Sequence, residues 1–73
     1  MASVTNKEIP DEFNLFGEIF TMYKKFYHPE DNKDYWSALI ENSHEISNKY
    51  NTELARDLCL VVIDELERKR RDT

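Results

Sequence analysis

The chain has 73 residues, of which 34% are charged, and a formal net charge of −5. That length leaves room for one domain, and the acidic balance argues against bulk attraction to nucleic acid or anionic membranes. A single cysteine excludes an internal disulfide and every cysteine-rich zinc spacing. A domain this small buries only about 60% of its unfolded surface. Oligomerisation is therefore the expected aid to stability, with a dimer the simplest form.

The first residues are polar and have little to pack, so residues 1–10 read as a flexible N-terminal arm. They lack the apolar stretch of a signal peptide, and no window approaches the roughly 20 apolar residues of a membrane span. The expected location is the cytoplasm. Pro10, Asp11 and Glu12 then mark a helix start, with Asp11 as the expected cap. The first helix is predicted over 12–27. It carries two adjacent apolar stripes, Phe13, Phe16, Phe20, Tyr23 and Tyr27 beside Leu15, Ile19, Met22 and Phe26. Together they cover about 180°, which predicts contact with two neighbours. Gly17 sits at a stripe edge and costs about 1 kcal/mol relative to Ala, so it suggests a close approach.

Pro29 disfavours helical geometry at His28 and ends the first helix. Asp31 or Asn32 can cap a second helix, predicted over 33–49. Its stripe reads Trp36, Leu39, Ile40, Ser43, Ile46, Ser47 and Tyr50. The small Ser43 and Ser47 are expected to leave space for the aromatics of the first helix and to bond back to a carbonyl one turn earlier. Asn51 or Thr52 caps the third helix, predicted over 52–70. The longest apolar run, residues 58–63, lies inside it and could be a buried strand. Its flanks are helix formers free of glycine and proline, so the run is read as helix. Leu54, Ala55, Leu58, Cys59, Val61, Val62, Ile63 and Leu66 fall within an arc of roughly 200°. Leu60 alone falls among the charges. The fold class is thus all-α, a compact three-helix bundle over residues 11–73.

Few residues carry a pattern that chemistry needs. Glu41 and His44 have the E-x-x-H spacing of di-iron carboxylate helices. That site requires two such pairs and further inward carboxylates, and this pair lies off the apolar stripe. His28 near Glu30 and Asp31 reads as a loop before a helix cap. Cys59 in the apolar run reads as a small core residue, because no base is marked beside it. There is no Ser/His/Asp arrangement and no glycine-rich phosphate loop. Catalytic, metal and cofactor residues are therefore expected to be none.

A helix-turn-helix DNA binder uses the same three-helix frame. The exposed side of the third helix would present Glu53, Asp57, Asp64 and Glu67 to phosphates, which is the wrong sign. Only the tail from Arg68 to Arg71 is basic. An acidic decoy for a nucleic-acid groove is the reverse possibility, but the acids are interleaved with lysines and arginines. The remaining feature is apolar surplus: four Phe, four Tyr and one Trp in so short a chain. Tyr27, Tyr35 and Leu60 lie at or outside the stripe edges and are the candidate interface residues.

Phe13-x-x-Phe16, the run Tyr23 to Tyr27, Asp34-Tyr35-Trp36, Ile46-x-x-Lys49-Tyr50 and the run Val62 to Arg68 resemble a group of small helical proteins encoded by phages and prophages of Gram-positive bacteria. The resemblance spans about residues 13–70 and rests on packing signatures. It implies a phage or mobile-element accessory protein acting in the bacterial cytoplasm, and it brings no catalytic residues. The expected function is a non-enzymatic protein–protein interaction module. A nucleic-acid-associated regulator using the basic tail is the alternative.

Overall fold

A computed structural model describes residues 3–72; residues 1, 2 and 73, the ends of the expected arm and domain, lie outside it. Three helices form the fold: α1 (Pro10–Lys25), α2 (Lys33–Tyr50) and α3 (Glu53–Arg71). There is no strand among the described residues, so the run at 58–63 is helical as its flanks require. The α2–α3 connection is Asn51 and Thr52 alone, which folds α3 back antiparallel on α2. Asn51 takes the left-handed conformation (φ 49°), which asparagine tolerates better than other side-chain-bearing residues, and its N–H bonds the Ser47 carbonyl. Thr52 caps α3 by accepting from the Ala55 N–H at 3.1 Å. Asn32 caps α2 by accepting from the Tyr35 N–H at 2.7 Å.

The start of α1 departs from expectation. The helix begins two residues earlier, at Pro10, with Ile9 at the cap position and no side chain serving as cap. Proline needs no partner for the N–H it lacks, so Asp11 lies inside the first turn, where its carboxylate still favours the helix dipole. The other end closes early as well. Phe26 leaves helical geometry (φ −107°, ψ 20°) while its N–H still reaches the Met22 carbonyl at 3.1 Å.

The core is built from one stripe of each helix. Leu15, Ile19, Met22 and Phe26 meet Tyr35, Leu39 and Ile46 and then Ala55, Cys59, Val62 and Leu66. Among the described residues Ser43 is the one buried polar residue. Its Oγ donates to the Ile40 carbonyl at 2.7 Å, a back-bond of the expected kind, although to the residue three positions earlier. The Cys59 thiol donates to the Ser43 carbonyl at 3.5 Å, so Ser43 also stands where α3 packs on α2. Burial pushes the Cys59 thiol up from its ordinary pKa, as expected of a core residue.

Several apolar residues expected inside are outside. Phe13, Phe16 and Phe20 of α1, Ile40 of α2, and Leu54 and Val61 of α3 are all exposed. Each helix here has only two neighbours, and α1 and α3 touch least of the three pairs. An apolar arc of 180–200° is therefore wider than its neighbours can cover, and its margins remain in solvent.

Val62 is 7% exposed and Leu60 52% exposed, on opposite sides of α3. Val62→Asp is expected to cost more than about 4 kcal/mol, comparable to the whole stability of a domain this size, and to unfold it. Leu60→Glu is expected to stay within about 0.5 kcal/mol of wild type. Circular dichroism with urea titration checks both; a folded Val62→Asp chain or an unfolded Leu60→Glu chain contradicts the assigned core.

Candidate functional site

The most distinctive surface lies along the outer side of α1. Phe13, Phe16 and Phe20 recur at helical spacing and are 53%, 52% and 59% exposed. Three half-exposed phenylalanines amount to on the order of 300 Å² of apolar surface, already the size of the largest patch on an ordinary monomer. The patch opens on a shallow groove of ≈ 1190 Å³ that wraps the N-terminal half of α1 and is also lined by Lys49, Tyr50 and Leu54. Val61 of α3, 62% exposed, follows Leu54 two turns further on the same side of that helix. Gly17 lies at the edge of this stripe, toward the polar side of the helix. A Cβ built there meets nothing within 4 Å, so no contact inside the chain requires a glycine.

Polar ties on both flanks hold this face outward. On the α2 side, Glu18 accepts from Lys49 Nζ at 3.0 Å and from the Tyr50 hydroxyl. The Tyr50 hydroxyl, with Lys49 beside it, holds the Glu18 carboxyl below its ordinary pKa. In return the Glu18 carboxylate pushes the Tyr50 hydroxyl up to about 12. On the α3 side, Lys69 Nζ donates to the Tyr27 carbonyl at 2.6 Å, lies 3.1 Å from the centre of the Tyr27 ring and 5.6 Å from that of Tyr23. A cation over an aromatic face at an exposed site is worth about 0.5–1 kcal/mol.

The three candidate interface residues therefore have different fates. Tyr35 is not at a surface: it is 7% exposed, donates its hydroxyl to the Phe26 carbonyl at 2.7 Å, and stacks edge-on to Phe26 and Trp36. Adjacent residues on a helix point 100° apart, and α2 is rotated so that Tyr35 faces inward and Trp36 lies at the margin. Tyr27 is 46% exposed but engaged by Lys69, Tyr23 and His28. Leu60 is exposed as expected, on the side of α3 turned away from the phenylalanine face. The residues that sequence reasoning missed are Phe13, Phe16 and Phe20. The signal was present in the second apolar stripe of α1, which exceeds what two neighbours can cover.

Three of the four tail cations have partners within the chain. Lys69 closes on Tyr27, Arg70 reaches Asp31 at 3.4 Å and lies over the Trp36 ring at 6.0 Å, and Arg68 pairs with Glu65 at 2.9 Å. Glu41 and His44 are both exposed, and among the described residues no group of three or more His, Cys, Asp or Glu is placed to hold a metal ion. No helix among them is long and apolar enough to cross a membrane. Comparison of the chain with family models, with curated proteins and with solved structures gives no match in any of the three.

The Glu18 tie sets a pH window. A lowered carboxyl pKa means its stabilising effect is intact at neutral pH and lost as pH falls through the folded value. A raised tyrosine pKa means the hydroxyl's contribution is present below the ordinary value and lost as pH rises toward about 12. Carbon-13 NMR titration of the Glu18 carboxyl is expected to give a value below the ordinary one for a glutamate, and Tyr50→Phe is expected to raise it. An unchanged value in Tyr50→Phe would show that the hydroxyl does not hold the carboxylate.

Proposed function

We propose that this protein is a non-enzymatic protein–protein interaction module that docks through the phenylalanine face of α1. The observation that carries the reading is that Phe13, Phe16 and Phe20 are each more than half exposed although the core is complete without them. Leaving three large aromatic side chains in water is unfavourable by about 1 kcal/mol or more each, so a covering partner recovers what folding leaves unused. Aromatic anchors are also the residues that concentrate binding energy in interfaces. The buried Cys59, its thiol held protonated, supports the non-enzymatic side of the proposal. The engagement of Lys69 by Tyr27 and of Arg70 by Asp31 within the chain supports a protein partner over nucleic acid. A role as a phage or prophage accessory or regulatory protein, in the bacterial cytoplasm, belongs to the same proposal and rests on the sequence resemblance.

The test is a comparison of baits in extracts of prophage-carrying or infected cells. Phe16→Glu places a charge on the patch and leaves the core untouched, so circular dichroism should be unchanged. A protein retained by the wild-type chain is expected to be lost with the Phe16→Glu chain. Equal retention by both baits would overturn the docking face.

A further inference from the structure

We infer that the occupant of the phenylalanine face is one amphipathic helix of a protein partner, apolar on one side and carrying lysine or arginine along one flank, seated between α1 and α3 as the fourth member of a four-helix bundle. The inference rests on the docking reading above and names the chemistry of its partner.

The seat follows from how the three helices are arranged. Leu54 at the start of α3 lines the same groove as Phe13 and Phe16 near the start of α1, and Lys69 near the end of α3 meets Tyr27 just beyond the end of α1. α1 and α3 therefore run parallel. α2 runs antiparallel to both, with Tyr35 at its start on Phe26 and Tyr50 at its end on Glu18. The parallel pair also touches least of the three. Two parallel helices in loose contact, each packed on the same antiparallel third, stand as diagonal helices do in an up-down-up-down bundle, and the corner opposite α2 is open.

Both walls of that corner are apolar. Phe16 lies about 20° around α1 from Tyr23, whose ring is near Lys69 of α3, so the phenylalanine stripe leans toward α3. On α3, Leu58 packs half-buried against the core, and Leu54 and Val61 lie about 40° and 60° outward from it, both exposed. Exposed apolar stripes on two neighbouring helices, facing one groove, are what an amphipathic helix fits. An extended partner has no strand edge to join among the described residues.

The sign of the rim selects the helix. Asp57 and Asp64 stand two turns apart along the solvent edge of the Leu54 and Val61 strip, about 40° and 60° beyond Val61. Both are exposed, and neither makes a hydrogen bond or ion pair among the described residues. Glu53 continues the edge one turn earlier, and the neighbouring cation, Arg68, is taken by Glu65 at 2.9 Å. A helix with lysine or arginine at two-turn spacing on this flank brings a cation to each aspartate; α3 of a second copy would bring the same aspartates, and an anionic membrane surface is opposed likewise. On the other rim Lys24 lies over the Phe20 ring, 4.8 Å from its centre, so the flank toward α1 calls for no cation. The three phenylalanines supply on the order of 300 Å², to which Leu54 and Val61 add, so the complex falls among transient interfaces of less than about 1,200 Å² in total.

The test uses the full chain and synthetic peptides of about 18 residues, each on an alanine–glutamine helix. One carries a leucine stripe with lysines two turns apart on one flank, the second has glutamates in place of those lysines, and the third scrambles the first. Fluorescence anisotropy is expected to give a Kd on the order of 10–100 µM for the lysine peptide and at least tenfold weaker binding for the other two. The double variant Asp57→Lys, Asp64→Lys should keep the wild-type circular dichroism and prefer the glutamate peptide, and Phe16→Glu should bind none. Amide shifts on binding should include Leu54 and Val61 as well as Phe16 and Phe20. Equal affinity for the lysine and glutamate peptides overturns the basic flank, equal affinity for the scrambled peptide overturns the helix, and shifts confined to α1 overturn the seat between α1 and α3. A wild-type chain that sediments as a dimer and is dissociated by Phe16→Glu gives the face to a second copy and overturns the assignment. No binding of any peptide up to about 1 mM overturns it too, while the docking reading is still judged separately by the bait comparison.

Discussion

The rotational setting of α1 is the constraint on which everything else depends. This helix has two apolar stripes centred about 110° apart, and a three-helix bundle can bury only one. Apolar area does not decide between them, because the stripe left outside holds three phenylalanines. Polar ties decide. The Tyr35 hydroxyl donates to the carbonyl of Phe26, fixing the C-terminal end of α1 against α2. Glu18 is held by Lys49 and Tyr50 at the other end of α2. Lys69 grips the Tyr27 carbonyl and ring from α3. With all three satisfied, Leu15, Ile19, Met22 and Phe26 point inward, and Phe13, Phe16 and Phe20 have nowhere to go but out.

The same economy of contacts explains the rest of the surface. Tyr35 takes the inward place that its neighbour Trp36 could have occupied, because its hydroxyl finds a buried acceptor. No buried side-chain polar atom among the described residues lacks a partner. The small residues Ala55, Cys59 and Ser43 let α2 and α3 come together closely, so that pair carries the densest packing. The α1–α3 pair is left the loosest. Leu54 and Val61 are exposed along that looser side, and the apolar margin of α3 adjoins the phenylalanine face.

Function follows from this imbalance. Chemistry is sparse: the one cysteine is buried, and the two histidines are exposed and far apart in sequence. Exposed apolar surface is plentiful and concentrated on one helix. The proposed docking links stability to association, because the surface that makes the free chain costly is the surface that a partner removes from water.

Some of this was already written in the chain. Three helices, their short connections, caps narrowed to Asp31 or Asn32 and to Asn51 or Thr52, the buried Cys59 and Val62, and the solvent-facing Leu60 follow from local rules: propensity, capping chemistry and periodicity act within a few residues. The 58–63 run could be assigned to helix from its flanks for the same reason. Which face of α1 is buried could not be read there. Both stripes have helical spacing, and the groups that choose between them, Tyr35 with Phe26, Glu18 with Tyr50 and Lys69 with Tyr27, are 9, 32 and 42 residues apart. Those pairings exist only once the helices are packed. The sequence by itself determined the elements and how much apolar surface they carry; the tertiary structure alone decided that the excess would be Phe13, Phe16 and Phe20, because burial is a property of neighbours and not of residues.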